Sequence, residues 1–160
     1  MIVAPAIRLG TRRDAASIAA MSRDYIEQGL GWSWTPARVE AAVCDRAVNV
    51  AVIGAAECIV GFGIMQYGDD SAHLALLAVH PGEQHRGLGS LLLGWLEQPA
   101  RVAGIARIRL EARADNPAAI GFYRTQGYRE IGRTRGYYRG TIDALRLEKA
   151  LTIAIGTMAP

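Results

Sequence analysis

Cysteine is nearly missing from the chain: its 160 residues include only Cys44 and Cys58, and neither lies in a CxxC or Cys/His cluster. That excludes a disulfide framework and a zinc-organised fold. Both thiols are expected as small buried apolar residues, in a reducing compartment. The three His lack acidic partners at ligand spacing, so no metal site is expected. No apolar run reaches the ~18 residues that cross a bilayer. The longest ones break at Glu57, at Asp69-Asp70 and at Glu97. The start, MIVAPAIRLG, has no basic n-region, no long apolar h-region and no small-residue cleavage site. The expected location is therefore the cytoplasm, off the membrane. Lysine is rarer than cysteine: Lys149 is the only one, and arginine supplies the rest of the 18 basic residues.

What is present points to a folded enzyme-sized unit. Apolar types make up 51% and charged types 21% of the chain, a balance that excludes a disordered polymer. The length fits one domain over residues 1–160. The net charge of +3 hides an asymmetry. Residues 1–100 hold seven Arg against ten acids, and residues 101–150 hold ten Arg and Lys149 against five. The basic C-terminal third suits an anionic ligand or partner, or it reflects the general use of arginine.

The periodicity predicts an α/β protein, with helices on both faces of a mixed sheet of six or seven strands. Residues 6–9 read as a short strand. Thr11 then caps a helix of about four turns, with Asp14 reaching back to its free amides and Ile18, Met21, Tyr25 and Ile26 on one face. Thr35-Pro36 opens a second helix. Residues 48–53, 58–67 and 73–80 read as strands. The last of these, HLALLAVH, is apolar almost throughout, which predicts burial on both faces and a central place. Residues 88–98 form a Leu-rich helix, which Pro99 should end or kink. Residues 107–113 alternate, with Ile108, Leu110 and Ala112 on one face and Arg107, Arg109, Glu111 and Arg113 on the other. Asn116-Pro117 caps a helix that ends at Gly127. Two more strands follow, near 128–133 and 142–151.

The most informative stretch is Gln84-His85-Arg86-Gly87-Leu88-Gly89-Ser90, between a buried strand and a helix. Two glycines let the backbone approach a ligand, and free amides at a helix start attract an anion of diphosphate size. It is not a GxxxxGK[ST] loop, and position 92 is Leu, so the dinucleotide fingerprint is incomplete. An ordinary tight turn would have the same glycines.

Here the chain resembles the GCN5-related N-acetyltransferase (GNAT) family. That family's loop is Gln/Arg-x-x-Gly-x-Gly/Ala, matched by residues 84–89 after Leu77-Ala78-Val79. A second family signature is matched by Asn116-Pro117-Ala118-Ala119-Ile120-Gly121-Phe122-Tyr123 and by Gly127-Tyr128. The resemblance covers residues 48–151. It implies a bulged central strand that splays from its parallel neighbour, and acetyl-CoA as acetyl donor. The backbone of Leu77, Ala78 and Val79 would hold the pantetheine arm. Gln84, His85, Arg86, Gly87, Leu88, Gly89 and Ser90 would cradle the diphosphate, and Asn116 would touch the donor near its pantetheine. His85, Ser90, Pro99 and Gly121 depart from the usual family residues.

The stretch LEARADNPAAIGFY is similar to the ribosomal-protein N-alpha-acetyltransferase subfamily. The resemblance implies Glu111 as general base on the amine and Tyr123 as general acid to the departing thiolate, by direct attack in a ternary complex. Trp34, Tyr137 and Tyr138 would line the acceptor mouth. Read without the resemblance, Glu111 is a carboxylate paired with Arg109 or Arg113, and Tyr123 is a core aromatic beside Ile120. The expected acceptor is a protein or peptide N-terminus. The alternatives are a small amine (aminoglycoside, polyamine or amino-acid-like), or a non-catalytic module for RNA or an acidic protein, using Tyr128, Tyr137 and Tyr138 among the arginines. Nucleic acid and membrane are not the expected partners. The apolar tail 151–160 offers a surface for a homodimer.

Overall fold

The computed structural model describes residues 6–151. The proposed dimer surface at 152–160 and the first five residues lie outside them. The described chain forms one seven-stranded sheet in the order β1-β2-β3-β4-β5-β7-β6. The strands are β1 Ile7–Leu9, β2 Val48–Ala55, β3 Cys58–Tyr67, β4 Ser71–Val79, β5 Arg107–Arg113, β6 Arg129–Tyr138 and β7 Ile142–Ala150. The helices are α1 Ala15–Met21, α2 Pro36–Cys44, α3 Leu88–Val102 and α4 Pro117–Thr125. All pairings are antiparallel except β4 with β5.

Two cores cover the two faces. Leu92, Leu93, Leu96 and Ala100 of α3 and Ile120 of α4 pack on Ile108, Leu110 and Ala112 of β5. Ala15, Ile18 and Ala19 of α1 and Val39 of α2 pack on Val50, Val52, Phe62 and Ile64 from the other side. Each buried Val, Leu, Ile or Phe side chain among these contributes about 1.5–3 kcal/mol.

A bulge in the central strand switches which core its alternate side chains face. Ile64 faces Leu76 and Met65 faces Leu74, so Ala75 is the extra residue. Without that insertion, Leu74 and Leu76 would share a face. Instead Ala72 and Leu74 join the α3 core while Leu76 and Ala78 join the α1–α2 core. The parallel pairing then stops early: only Ser71–His73 pair with Arg107–Arg109. Beyond His73 the two strands part, and the splay leaves a strand edge unpaired in the middle of the sheet.

Several local expectations need correction. Pro99 does not end α3, which runs on to Val102. Ala100 is fully buried beyond it, and the Tyr67 hydroxyl donates to the Leu96 carbonyl at 2.7 Å, so tertiary packing supports the turn the proline disturbs. Cys44 and Cys58 are exposed, not buried. Cys44 is the last residue of α2 and Cys58 follows a hairpin turn, positions where a strand or helix leaves the core. The helix after Thr11 is not uniformly α: it closes with a wide turn in which Glu27 N–H donates to the Ser22 carbonyl at 2.8 Å. β6 runs five residues further than expected, so Tyr137 and Tyr138 sit within the strand rather than after it. Tyr128 is only 2% exposed, and its hydroxyl donates to Glu97 at 2.8 Å inside a cluster with Lys149. It is a core residue and is not available for stacking on RNA.

Candidate active site

The splay opens a cleft of about 1200 Å³ between the ends of β4 and β5. Its floor is Leu77, Ala78 and Val79, which pair with Gly63, Phe62 and Gly61 of β3 and face no strand on the other side. At its far end the chain turns into α3. His85 and Gly87 take φ of 64° and 79°, a left-handed path that brings successive amides to one side. The first backbone bond of α3 is from Leu91 N–H to the Gly87 carbonyl at 3.1 Å. The N–H groups of Leu88, Gly89 and Ser90 therefore start the helix without intrahelical partners, at the positive end of its dipole.

Glycine is required twice here. Gly87 has the positive φ, with open space where a Cβ would stand. A Cβ on Gly89 would lie 3.2 Å from the Phe122 ring, so its absence lets α4 approach α3. Ser90 Oγ accepts from Gln126 Nε2 at 2.6 Å and fixes the same approach. Gln84 Nε2 donates to the Val79 carbonyl at 3.2 Å. Of the residues expected around the donor, Arg86 alone does not line the cleft; it pairs with Glu83 at 3.0 Å instead. Asn116 lines it while its Oδ1 accepts from Ala119 N–H at 3.1 Å, capping α4.

Tyr123 reaches the cleft from α4. Its ring packs edge-on against Phe122 and Tyr128, at centroid distances of 5.2 and 5.8 Å. Its hydroxyl has no protein partner among the described residues. Burial, with a smaller effect from Tyr138, pushes its ionisation well above the usual phenol range. The phenol therefore stays protonated at neutral pH.

A second groove, of about 770 Å³, opens on the α1–α2 side. Trp34, Tyr137 and Tyr138 line it, together with His73 and Glu27. The two hollows share Ile26, Ala75, Leu76, Glu111 and Tyr138. Glu111 thus stands where they meet. The two tyrosine rings meet edge-on at 4.9 Å, and burial pushes Tyr138 up to about 12. The Arg38 guanidinium lies 3.9 Å from the centre of the Trp34 ring.

Glu111 does not pair with arginine. Arg109 binds Glu148 at 2.8 Å; Arg113 binds Asp115 at 2.9 Å and donates to the Gln28 carbonyl at 2.8 Å. Glu111 Oε2 instead lies 2.6 Å from His73 Nε2. The hydrogen bond from His73 holds the carboxyl below its usual range, against burial and with help from the charges of His73 and Arg146. The sequence carries one trace of this contact: a polar residue inside a strand otherwise apolar.

Glu27 is a second group that sequence reading missed. It is buried and accepts from Ser22 Oγ at 2.9 Å, Ser33 N–H at 2.8 Å, Ser33 Oγ at 2.6 Å and Trp34 N–H at 3.3 Å. Burial alone would raise its pKa; the bonds from Ser33, Ser22 and Trp34 outweigh that and hold it low. Its carboxylate folds the 30–35 loop over the second groove.

Splayed strands, an amide-lined helix start and a second groove meeting the first at a carboxylate define a two-substrate acyltransferase. A sequence model of the acetyltransferase (GNAT) family matches residues 19–128. The chain belongs to that family and is an acetyl-CoA-dependent acyltransferase. It is 39% identical over 104 residues to the ribosomal protein bS18-alanine N-acetyltransferase of Salmonella typhimurium, covering 63% of this chain and 70% of that protein. The Escherichia coli enzyme of the same name is 40% identical over 83 residues, 52% of this chain and 56% of that protein, about half its length. The crystal structure of an Escherichia coli ribosomal-protein-S18-alanine N-acetyltransferase superposes with a TM-score of 0.77 at 27% identity, covering 98% of this chain and 100% of that one. An Ard1 structure from Thermoplasma volcanium gives 0.80 at 25%, covering 94% and 99%. Among the described residues, no helix is long and apolar enough to cross a membrane.

Proposed function

We propose that the protein transfers the acetyl group of acetyl-CoA to the N-terminal amine of a protein, with a ribosomal protein as the acceptor class. Both substrates are bound at once. The observation that carries this reading is the meeting of two grooves at Glu111 and Tyr138, with Tyr123 inside one of them. The Salmonella and Escherichia coli proteins named above are ribosomal-protein alanine N-acetyltransferases, and their names support the choice of acceptor.

The residues fit the donor. The edge of Leu77, Ala78 and Val79 suits an extended amide-bearing arm, added like a strand. The amides of residues 88–90 suit its diphosphate, and Gly87 leaves room for it. Glu111 draws a proton from the acceptor ammonium, which frees the nitrogen lone pair to attack the thioester carbonyl. The C–S bond breaks as Tyr123 gives its proton to the sulfur, and the nitrogen sheds its second proton as the amide forms, which restores the phenol. Thiols ionise near ~8.5 and phenols near ~10. A phenol kept neutral by burial is available to a thiolate without prior ionisation.

The test is acetyl-CoA turnover, followed as free thiol, on Ala-initiated peptides, polyamines and an aminoglycoside. Preferred turnover of peptides, and a rise in melting temperature with acetyl-CoA, are expected. Turnover confined to small amines overturns the acceptor assignment.

A further inference from the structure

We propose that the open face of the β5–β7–β6 half-sheet is a docking surface for RNA, whose phosphates are held by Arg107, Arg109, Arg129 and Arg146 beside the second groove. The surface goes beyond the acetyl-transfer reading, and only its link to the acceptor rests on that reading.

Register puts the four arginines on one face. Ile108 and Leu110 of β5 and Leu145 and Leu147 of β7 point into the core under α3 and α4. The alternate residues point the other way. Across the ladders Arg109 stands opposite Glu148, Glu148 opposite Arg129, and Arg146 opposite both Glu111 and Gly132. Arg107 is two residues from Arg109 along β5, about 6.8 Å. The α1–α2 core takes its sheet residues from β2, β3 and β4. Among the described residues, no helix packs on the β5–β7–β6 half from this side.

The face carries an excess of cations. Arg109 binds Glu148 at 2.8 Å, and Arg107, Arg129 and Arg146 have no ion-pair partner among the described residues. The Glu148 side chain is only 12% exposed. The Arg109 bond, and then the charges of Arg109, Arg107 and Arg129, hold its carboxyl below the usual range against burial. Three guanidinium groups therefore converge on one carboxylate. Arg146 lies over β6: a Cβ on Gly132 would stand 3.5 Å from its Nη1. Glu111, the other carboxylate on this face, is already bonded to His73.

The composition of the face favours RNA over an acidic protein. The residues paired across it are Arg, Glu, Ala, Gly and Thr, with no large side chain to form the apolar centre of a protein interface. Its cations are all arginine, whose planar fork binds two phosphate oxygens at once. Tyr137 of β6 is 52% exposed and lines the second groove, which offers a ring for a base to stack on. Glu111 belongs to the face and to the groove, so one runs into the other. A polypeptide carried by RNA on this face would present its N-terminus at Glu111, which suits a ribosomal-protein acceptor.

The experiment follows the fluorescence anisotropy of a labelled oligouridylate of about 20 nucleotides over a range of salt, with an oligoglutamate of similar charge as the second probe. The full chain is expected to bind the RNA more tightly than the peptide. Its log–log salt slope should be about 2–3, at about 0.7 per phosphate contact. Arg107→Ala/Arg129→Ala is expected to weaken RNA binding at least ten-fold and to lower the slope by about 1.4. Turnover of a free Ala-initiated peptide should stay within about two-fold. Arg124→Ala/Arg133→Ala removes the same charge from the opposite face and should leave RNA binding within about two-fold. Melting temperature identifies folded variants, and Arg107→Gln/Arg129→Gln repeats the test if the alanine pair does not fold. No RNA binding by wild type, or equal effects of the two double variants, overturns the surface. Tighter binding of oligoglutamate, lost in Arg107→Ala/Arg129→Ala, overturns RNA in favour of an acidic protein. RNA binding by a chain inactive on every peptide overturns the transfer reading and leaves the surface standing.

Discussion

The Arg139 guanidinium occupies the space a side chain on Gly31 would need: a Cβ there would stand 2.5 Å from Nη2. Gly31 has φ of 78° and Arg139 has φ of 53°, so both arms of the second groove meet through left-handed residues. Gly31→Ala would strain the loop by roughly 1–2 kcal/mol and displace the guanidinium. The expected result is a peptide KM raised about ten-fold with the acetyl-CoA KM unchanged, read from steady-state kinetics with each substrate varied in turn.

Tyr123 reaches the donor cleft with a hydroxyl that bonds no protein group among the described residues. Tyr123→Phe therefore removes a proton donor without breaking a contact. A kcat at least 100-fold lower is expected, with melting temperature and acetyl-CoA affinity unchanged. A variant that keeps wild-type kcat would remove Tyr123 from the acid role.

Gly87 and Arg86 are neighbours with opposite expectations. Gly87→Ala puts a Cβ into open cleft space at a positive φ. Acetyl-CoA binding by calorimetry should weaken about ten-fold, from roughly 1–2 kcal/mol of strain in the cradle. Arg86 points to Glu83 and lies off the cleft wall. Arg86→Ala should keep the dissociation constant within about two-fold, as exposed ion pairs contribute about 0–1 kcal/mol.

Glu27 links Ser22 at the end of the first helical segment to Ser33 and Trp34 in the acceptor loop. Glu27→Gln replaces a carboxylate oxygen that accepts three bonds with an amide that must also donate. The loop should loosen, raising peptide KM several-fold while leaving kcat within about two-fold, measured with saturating acetyl-CoA.

The cleft at the start of α3 was legible because it is made of backbone. Gly87, Gly89 and Asn116-Pro117 announce turns and helix starts locally, and two signatures in order pointed to one family. The splay came only with that resemblance, since the Ala75 bulge has no mark of its own. The second groove is made of contacts across the fold. His73 and Glu111 are 38 positions apart, on strands that pair for a few residues only. Glu27 takes its partners from a loop whose path depends on Glu27 itself. Pro99 does not stop α3 because a local rule yielded to packing around Ala100, and the cysteines were misread because apolar character alone does not choose an element's interior over its end.

Asp14 gives the fold a pH dependence whose sign is fixed. Its carboxylate is fully buried and accepts from Arg8 Nη1 at 2.7 Å, Arg8 Nη2 at 2.9 Å and Thr11 N–H at 2.7 Å. The Arg8 bonds lower its pKa, burial opposes them, and the Thr11 amide lowers it further. A carboxyl depressed in the folded state stabilises fully above its unfolded value, near ~3.9. That stabilisation is lost as pH falls through the lower folded value. Asp14→Asn should cost about 2 kcal/mol at pH 7, the scale of a hydrogen bond to a charged group. Melting curves between pH 2.5 and 7 should converge for wild type and variant at the acid end. Parallel curves over that range would show that the Arg8 pair carries no net stability.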